Sequence, residues 1–436
     1  VSGADGILTS VTASNPSPTA TQPDPIQKRT VATLSMSQIL GGVSLASGVA
    51  VGALLAEEVS GSPTYAGLGS TFQVIGSALI AIPLARVSAA RGRRPGLALG
   101  YALSFIGALG LIVSGIVGSF ALLLAASLLF GGSTASNNQA RYAAADLAEP
   151  AHRGRDLSLV VWATTIGSVL GPNLVGPSQP VSEWLGIPRL TGPFVFSLVG
   201  LTLAIAVLLT RLRPDPLLEA RRRLAAADPT ASSQTHGSIG RGLRVIASRP
   251  QALLGVLTLA LGHVTMVSVM VMTPLHMRHG HADLTVIGFV ISMHILGMFA
   301  FSPLTGMAVD RLGGRTVAFV GAGILATATL LASTAPQGHS TRLLIALFLL
   351  GLGWSCTLVS GSTLLTAAVP TVERPGAQGA SDLVMGLAAG GGGALAGVVV
   401  DVASFHALAL GALGIAALIA VSALVLRGSG AADPPA

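Results

Sequence analysis

"GMAVDRLGGR", Gly306 to Arg315, separates two runs that are each apolar enough to cross a lipid bilayer. A related stretch, "ARVSAARGRR", lies 221 residues earlier, from Ala85 to Arg94, again between apolar runs. It keeps the Gly-x-Arg ending but carries Ala89 where the later copy has Asp310. A charged, glycine-bearing turn that occurs twice, in the same relation to apolar runs, points to a duplicated bundle of membrane helices.

The composition agrees. Of the 436 residues, 51% are hydrophobic, only 9% are charged and 55 are glycine, which excludes a set of soluble domains. Abundant glycine among apolar runs suits membrane helices, whose backbones pack closely. The single cysteine, Cys356, lies in an apolar run and excludes both an intrachain disulfide and a cysteine metal cage. A net charge of +7 raises the question of nucleic acid, but the arginines cluster between apolar runs, so no nucleic-acid partner is expected.

A helix crosses the bilayer core with about 20 apolar residues. Twelve such spans begin near residues 31, 65, 96, 119, 157, 191, 251, 285, 316, 341, 379 and 404. Residues 1–30 are rich in Ser, Thr, Pro and Ala and read as a disordered tail. The first apolar run is too long for a signal-peptide core and is counted as a span. Positively charged segments stay on the cytoplasmic side. With both termini inside, the cytoplasmic segments and span ends hold 21 of the 24 Lys and Arg residues, leaving outside only Arg189, Arg278 and Arg342. This predicts a multi-pass protein of the cell membrane with both termini cytoplasmic. The expected organisation is a tail (1–30), a six-helix half (31–212), a cytoplasmic linker (213–250), a second six-helix half (251–426) and a tail (427–436). The linker, with Arg221–Arg223, reads as a solvated connecting helix or a lipid-binding patch.

The 221-residue offset recurs. Arg153 corresponds to Arg374, Gly171 and Gly176 to Gly392 and Gly397, and the start of the first span to that of the seventh. Two homologous halves, each with an even number of spans, lie parallel in the membrane and enclose a site at their interface. The predicted fold is therefore all-α and integral to the membrane, with 12 transmembrane helices in two homologous halves around a central cavity.

"GMAVDRLGGR" resembles the loop motif of the major facilitator superfamily, Gly-x-x-x-Asp-Arg-x-Gly-x-Arg, which joins spans 2 and 3 and is repeated between spans 8 and 9. With the duplication and the span count, the resemblance covers residues 31–426. It implies a conformational latch on the cytoplasmic side, built here from Gly306, Asp310, Arg311, Gly313 and Arg315 and, in the first half, Gly92, Arg93 and Arg94. Asp310 suits the exposed N–H groups at the start of a neighbouring helix. A charged turn that only sets topology is the simpler reading. Ala89 departs from the pattern and implies a first-half latch that is weak or differently made.

Span 5 reads "WATTIGSVLGPNLVG". Gly167, Gly171, Pro172 and Gly176 resemble the antiporter motif of the superfamily's drug:proton exporters, with Val175 replacing one glycine. The glycines form a flat packing face and the proline bends the span. Two departures bear on proton coupling. Ser127 stands where these exporters usually carry an arginine in span 4, and Glu57 and Glu58 lie at the outer end of span 1. Asp382 lies near the inner end of span 11 and Arg141 at the mouth of span 4. The mid-span titratable groups are His263 and His294, each either a proton carrier or a packing residue.

Spans 1, 4, 7 and 10 line the cavity in this superfamily. That makes Gln38, Asn137, His263 and Trp354 candidates for substrate contact, with Trp162 and His294 as further cavity candidates. Each reads equally as an interhelical hydrogen bond or an interface anchor. The resemblance implies a secondary exporter of small, mostly apolar organic compounds, coupled to protons, monomeric and without a cofactor. The alternatives are import or facilitated entry of a small polar nutrient, and export of a soft metal ion. The metal reading rests on His263 and His294, because five of nine histidines and six of nine methionines fall between His263 and Met298. An enzyme is not expected, since the chain carries no H-E-x-x-H, G-x-S-x-G or phosphate-binding loop.

Overall fold

A computed structural model describes residues 24–62, 65, 67–227 and 238–426. The first half comprises α1 (Pro25–Ser60), α2 (Leu68–Arg91), α3 (Arg93–Val117), α4 (Phe120–Phe130) with α5 (Gly132–Ala144), α6 (Arg153–Asn173) with α7 (Val175–Leu185), and α8 (Gly192–Arg211). The connecting segment holds α9 (Pro216–Ala227) and α10 (Ile239–Ala247). The second half comprises α11 (Pro250–His279), α12 (Leu284–Phe299) with α13 (Ser302–Leu312), α14 (Gly314–Ser333), α15 (Thr341–Ala368), α16 (Arg374–Val402) and α17 (Phe405–Val425). Among the described residues, eleven helices or continuous pairs are long and apolar enough to cross a membrane, and α6 with α7, bent by 54°, makes a twelfth. In hydrocarbon a backbone must satisfy its own hydrogen bonds, which is why every apolar run becomes a helix.

Each half has its own core. Leu34, Leu97, Tyr101, Phe130, Phe194 and Leu201 meet in the first. Leu259, Met266, Leu325, Leu343, Leu350 and Trp354 meet in the second, which also takes in Leu157 and Val161 of α6. The two turns that opened the sequence reading are each made at a glycine of positive φ. Gly92 at φ +94° ends α2 and starts α3, and Gly313 at φ +83° does the same for α13 and α14. Only glycine adopts this backbone without strain.

Alpha-helices α1 and α6 pack through small residues. A Cβ on Gly167 would stand 2.8 Å from the Gly42 Cα, and one on Gly171 2.8 Å from the Ser47 nitrogen. The bend of span 5 follows two residues after Pro172, at Leu174. Gly176 lies beyond it with open space around it, so the packing face expected from the sequence stops at Gly171.

One expected boundary is corrected. The tail set at 1–30 gives way to helix at Pro25, where the Asp24 carboxylate accepts from the Ile26 N–H at 2.8 Å and Pro25 occupies the first turn. This opening turn is polar, and Gln27 donates to the Ala144 carbonyl at 2.7 Å, so an apolar threshold missed it. Residues 1–23 and 427–436 lie outside the described residues. The linker 213–250, read as a solvated helix or lipid patch, docks one side on the bundle while Arg222 and Arg223 remain exposed. Leu217 is fully buried, Asp215 and Glu219 are buried, and Arg221 donates to the Ala89 carbonyl at 3.1 Å. On the other half, α10 buries Gly242 and Ile246 against α16, and Arg241 pairs with Glu373 at 2.6 Å. The middle of the linker, 228–237, lies outside the described residues.

Candidate functional site

Between the halves lies a cavity of about 250 Å³. One wall, from α1, α2, α5 and α6, presents Gln38, Gln73, Asn137, Asn138 and Thr164. The opposite wall, from α11, α12, α15 and α16, presents His263, Met298, Phe299, Trp354 and Met385. At the arginine-rich end Arg141 and Asp382 close the floor.

The polar wall is held by its own hydrogen bonds. Gln38 donates to the Thr164 hydroxyl at 2.8 Å, and the Asn137 carbonyl accepts from the Tyr101 hydroxyl at 2.7 Å. The Asn138 carbonyl accepts from Arg141 at 3.0 Å. On the facing wall the Trp354 indole N–H donates to His263 Nδ1 at 2.7 Å, and Phe299 meets Trp354 edge-on with centroids 5.6 Å apart.

The floor joins the halves through buried charge. Arg141 of α5 donates to one Asp382 oxygen at 2.8 Å, and Gln139 donates to the other at 2.6 Å. Arg141 also donates to Ser362 of α15 at 3.1 Å, the residue that corresponds to it by the 221-residue offset. Gln139 accepts from Arg93 at 3.2 Å, and Arg93, fully buried, pairs with Asp146 at 2.7 Å and donates to Gln378 of α16. A continuous set of hydrogen bonds thus runs from the cavity floor to the α2–α3 turn. Charges in a membrane interior persist only when paired, and these are.

At the other copy of the turn, the Asp310 carboxylate accepts from the backbone N–H groups of Gly154 and Arg155 at 2.7 and 2.8 Å, at the start of α6. The approach depends on small residues, since a Cβ on Gly154 would stand 2.7 Å from the Gly306 carbonyl. An anion is favoured at a helix N-terminus, and here the two partners belong to different halves. Arg311 is exposed, and Arg315 donates to the Ala423 and Leu424 carbonyls at the end of α17.

The first copy is built differently. By the offset, Pro375 stands where the second contact has Gly154, so one of the two N–H groups is missing as well as the carboxylate at Ala89. Asp215 of the linker supplies a carboxylate to the Arg94 N–H at 2.7 Å, within one half, and Arg93 makes the cross-half contact through Gln378. Among the described residues, the hydrogen bonds that join the two helical halves all lie from the cavity floor to the arginine-rich end.

Of the cavity candidates, Gln38, Asn137, His263 and Trp354 line one space. Two do not. Trp162 is 39% exposed and does not line the cavity. His294 is fully buried against α15, its Nδ1 2.8 Å from the Leu347 carbonyl. His263 meets the same helix at Trp354, two turns or about 10 Å further on, so the two histidines do not form one site. Among the described residues no three His, Cys, Asp or Glu side chains are grouped to hold a metal ion. The pairing of Arg141 with Asp382 was missed by sequence reading. Its one signal was that a charge in a span requires a partner.

The chain matches the sequence profile described as the Major Facilitator Superfamily over residues 34–282 and 263–436. It is 39% identical over 385 residues to the MFS-type transporter YdeG of Bacillus subtilis, covering 88% of this chain and 89% of that one. It is 28% identical over 364 residues to the riboflavin transporter RfnT of Brucella anthropi, covering 82% and 85%. Among solved structures, the proton:xylose symporter XylE superimposes with a TM-score of 0.71 at 17% identity, over 91% of this chain and 94% of that one.

Proposed function

Because the chain belongs to the Major Facilitator Superfamily, a family of multi-pass membrane carriers of small molecules, we propose that it exports small, mostly apolar organic compounds in exchange for protons. The observation that carries this reading is the central cavity, one wall aromatic and one amide-bearing, closed at its arginine-rich end by the Arg141–Asp382 pair. The proposed setting is the cell membrane, with the arginine-rich end and both termini cytoplasmic, so the arrangement corresponds to a carrier facing outward. Asp382 is the proposed proton acceptor. Protonation removes the charge that holds Arg141, the floor contact weakens, and the halves rock to expose the cavity to the cytoplasm. In inverted vesicles carrying the protein, an imposed pH gradient is expected to drive a dye or lipophilic antibiotic into the lumen. Movement of the dye and the antibiotic that does not depend on the gradient would overturn proton coupling.

The Asp310 contact serves as the proposed latch between α13 and α6. Asp310→Asn keeps the shape but loses the charge at the helix start, and is expected to slow transport several-fold with membrane insertion unchanged. Wild-type transport rates in that variant would reduce the turn to a topology signal. The bend after Pro172 supports export through its resemblance to the antiporter motif. Pro172→Ala restores a backbone donor, and net efflux of a transported dye is expected to fall.

A second reading, entry of a small polar nutrient, has support in the amide wall and in the riboflavin transporter among the relatives. Energy-dependent accumulation of a nutrient by intact cells would select it over export.

A further inference from the structure

We propose that the cavity selects uncharged aromatic molecules bearing ring carbonyls or other acceptors at the ring edge, and that His263, its tautomer fixed by Trp354, is the donor that reads the acceptor. The proposal rests on the reading of this cavity as the substrate site, and it holds for either direction of transport.

The argument begins with the chemistry of one hydrogen bond. An indole N–H only donates, so the 2.7 Å contact makes His263 Nδ1 the acceptor and leaves the ring proton on Nε2. Protonating Nδ1 would set two donors against each other, so this contact keeps the ring neutral. His263 lines the cavity and therefore offers it a fixed N–H donor. Two of the amides opposite, Asn137 and Asn138, are sorted in the same sense. The Asn137 carbonyl is taken by Tyr101 and the Asn138 carbonyl by Arg141, leaving the amide N–H groups of both for a ligand. Donors thus remain on both walls, beside one unused acceptor on the polar wall, Gln38 Oε1.

Charge is sorted too. Arg141 and Asp382 satisfy each other at 2.8 Å, and Arg141 is bound further by Ser362 and Asn138. A charged ligand therefore finds no unpaired opposite charge on the cavity walls. Trp354 and Phe299, set edge to face, supply an aromatic surface beside the His263 donor. A flat ring packs on that surface, and its edge acceptors meet donors that would otherwise be left unpaired. At about 250 Å³ the space suits a compact fused-ring molecule.

The test is equilibrium dialysis of the full chain in lipid nanodiscs, with empty nanodiscs as the blank, against three labelled probes. These are 1,4-naphthoquinone (neutral, two acceptors), naphthalene (no acceptor) and 2-naphthoate (charged). Naphthoquinone is expected to bind more tightly than either of the others. His263→Phe removes the donor and is expected to weaken naphthoquinone about tenfold, the loss for one buried hydrogen bond, with naphthalene unchanged. Trp354→Phe keeps an aromatic ring but releases the tautomer, and is expected to lower the naphthoquinone-to-naphthalene ratio in the same direction. The ratio is the readout, since a misfolded cavity loses both probes together. Equal binding of naphthoquinone and naphthalene by the native chain, preference for naphthoate, or an unchanged ratio in both variants would overturn the proposal. If native vesicles still transport a sugar or an organic cation in that case, the carrier reading stands and only the selectivity fails. If they transport none of the sugar, the organic cation, the dye and the antibiotic, the reading of this cavity as their substrate site fails as well.

Discussion

Asp382→Asn is expected to abolish gradient-driven transport while substrate exchange between vesicle lumen and medium, with no gradient, persists. Asp382 is the carboxylate through which α16 holds two donors of α5, Gln139 at 2.6 Å and Arg141 at 2.8 Å. The other ionisable or charged side chains around it are Tyr142 on α5, Arg93 behind Gln139, and His263 across the cavity. Asparagine keeps the volume and one acceptor but cannot change charge, so the pH dependence of transport should flatten along with the loss of drive. A complication is that removing one partner of a buried ion pair costs about 3–5 kcal/mol, and Arg141 would be left uncompensated. The double variant Arg141→Gln with Asp382→Asn removes both charges, and should recover thermal stability without recovering proton-driven transport. Gradient-driven efflux with a native pH profile in either variant would remove Asp382 from the coupling mechanism.

Arg93→Ala should be the most damaging change to stability among the latch residues. The guanidinium is fully buried and bonds Asp146, Gln139 and Gln378 at once. Its removal leaves the Asp146 carboxylate buried, with Arg374 4.0 Å away as a weaker substitute. The expected cost is again about 3–5 kcal/mol, read as early loss of monodisperse protein on heating in detergent. Changing Asp146 to Asn in the same chain should return much of that loss, because no bare charge then remains. Arg311→Ala is the comparison, since that side chain is exposed and surface charges contribute little. Equal stability of the two single variants would mean that the Arg93 network is not what holds the first copy of the turn.

The halves, the span count and the two turns were legible because hydrocarbon imposes strong rules. An apolar run of about 20 residues has no spanning alternative to a helix, and a glycine at each turn accepts a positive φ that other residues resist. The partner type for Asp310, a helix start, was also legible from the dipole, although nothing in the chain said that the helix would be α6. Rotational phase left no comparable trace. A span apolar all round gives no sign of which face meets lipid, so Trp162 and His294 read as cavity residues until neighbouring helices turned one outward and the other against α15.

Pairings across the bundle were equally hidden. Arg141 and Asp382 are 241 residues apart, and each alone is simply a charge near the end of a span. Ala89 marked a gap in the first turn, but only the packed chain could bring Asp215 and Arg93 to that end. The bilayer dictates helices one at a time from composition, whereas the tertiary structure chooses their partners, because burying a charge or a donor is tolerated only where another element arrives to satisfy it.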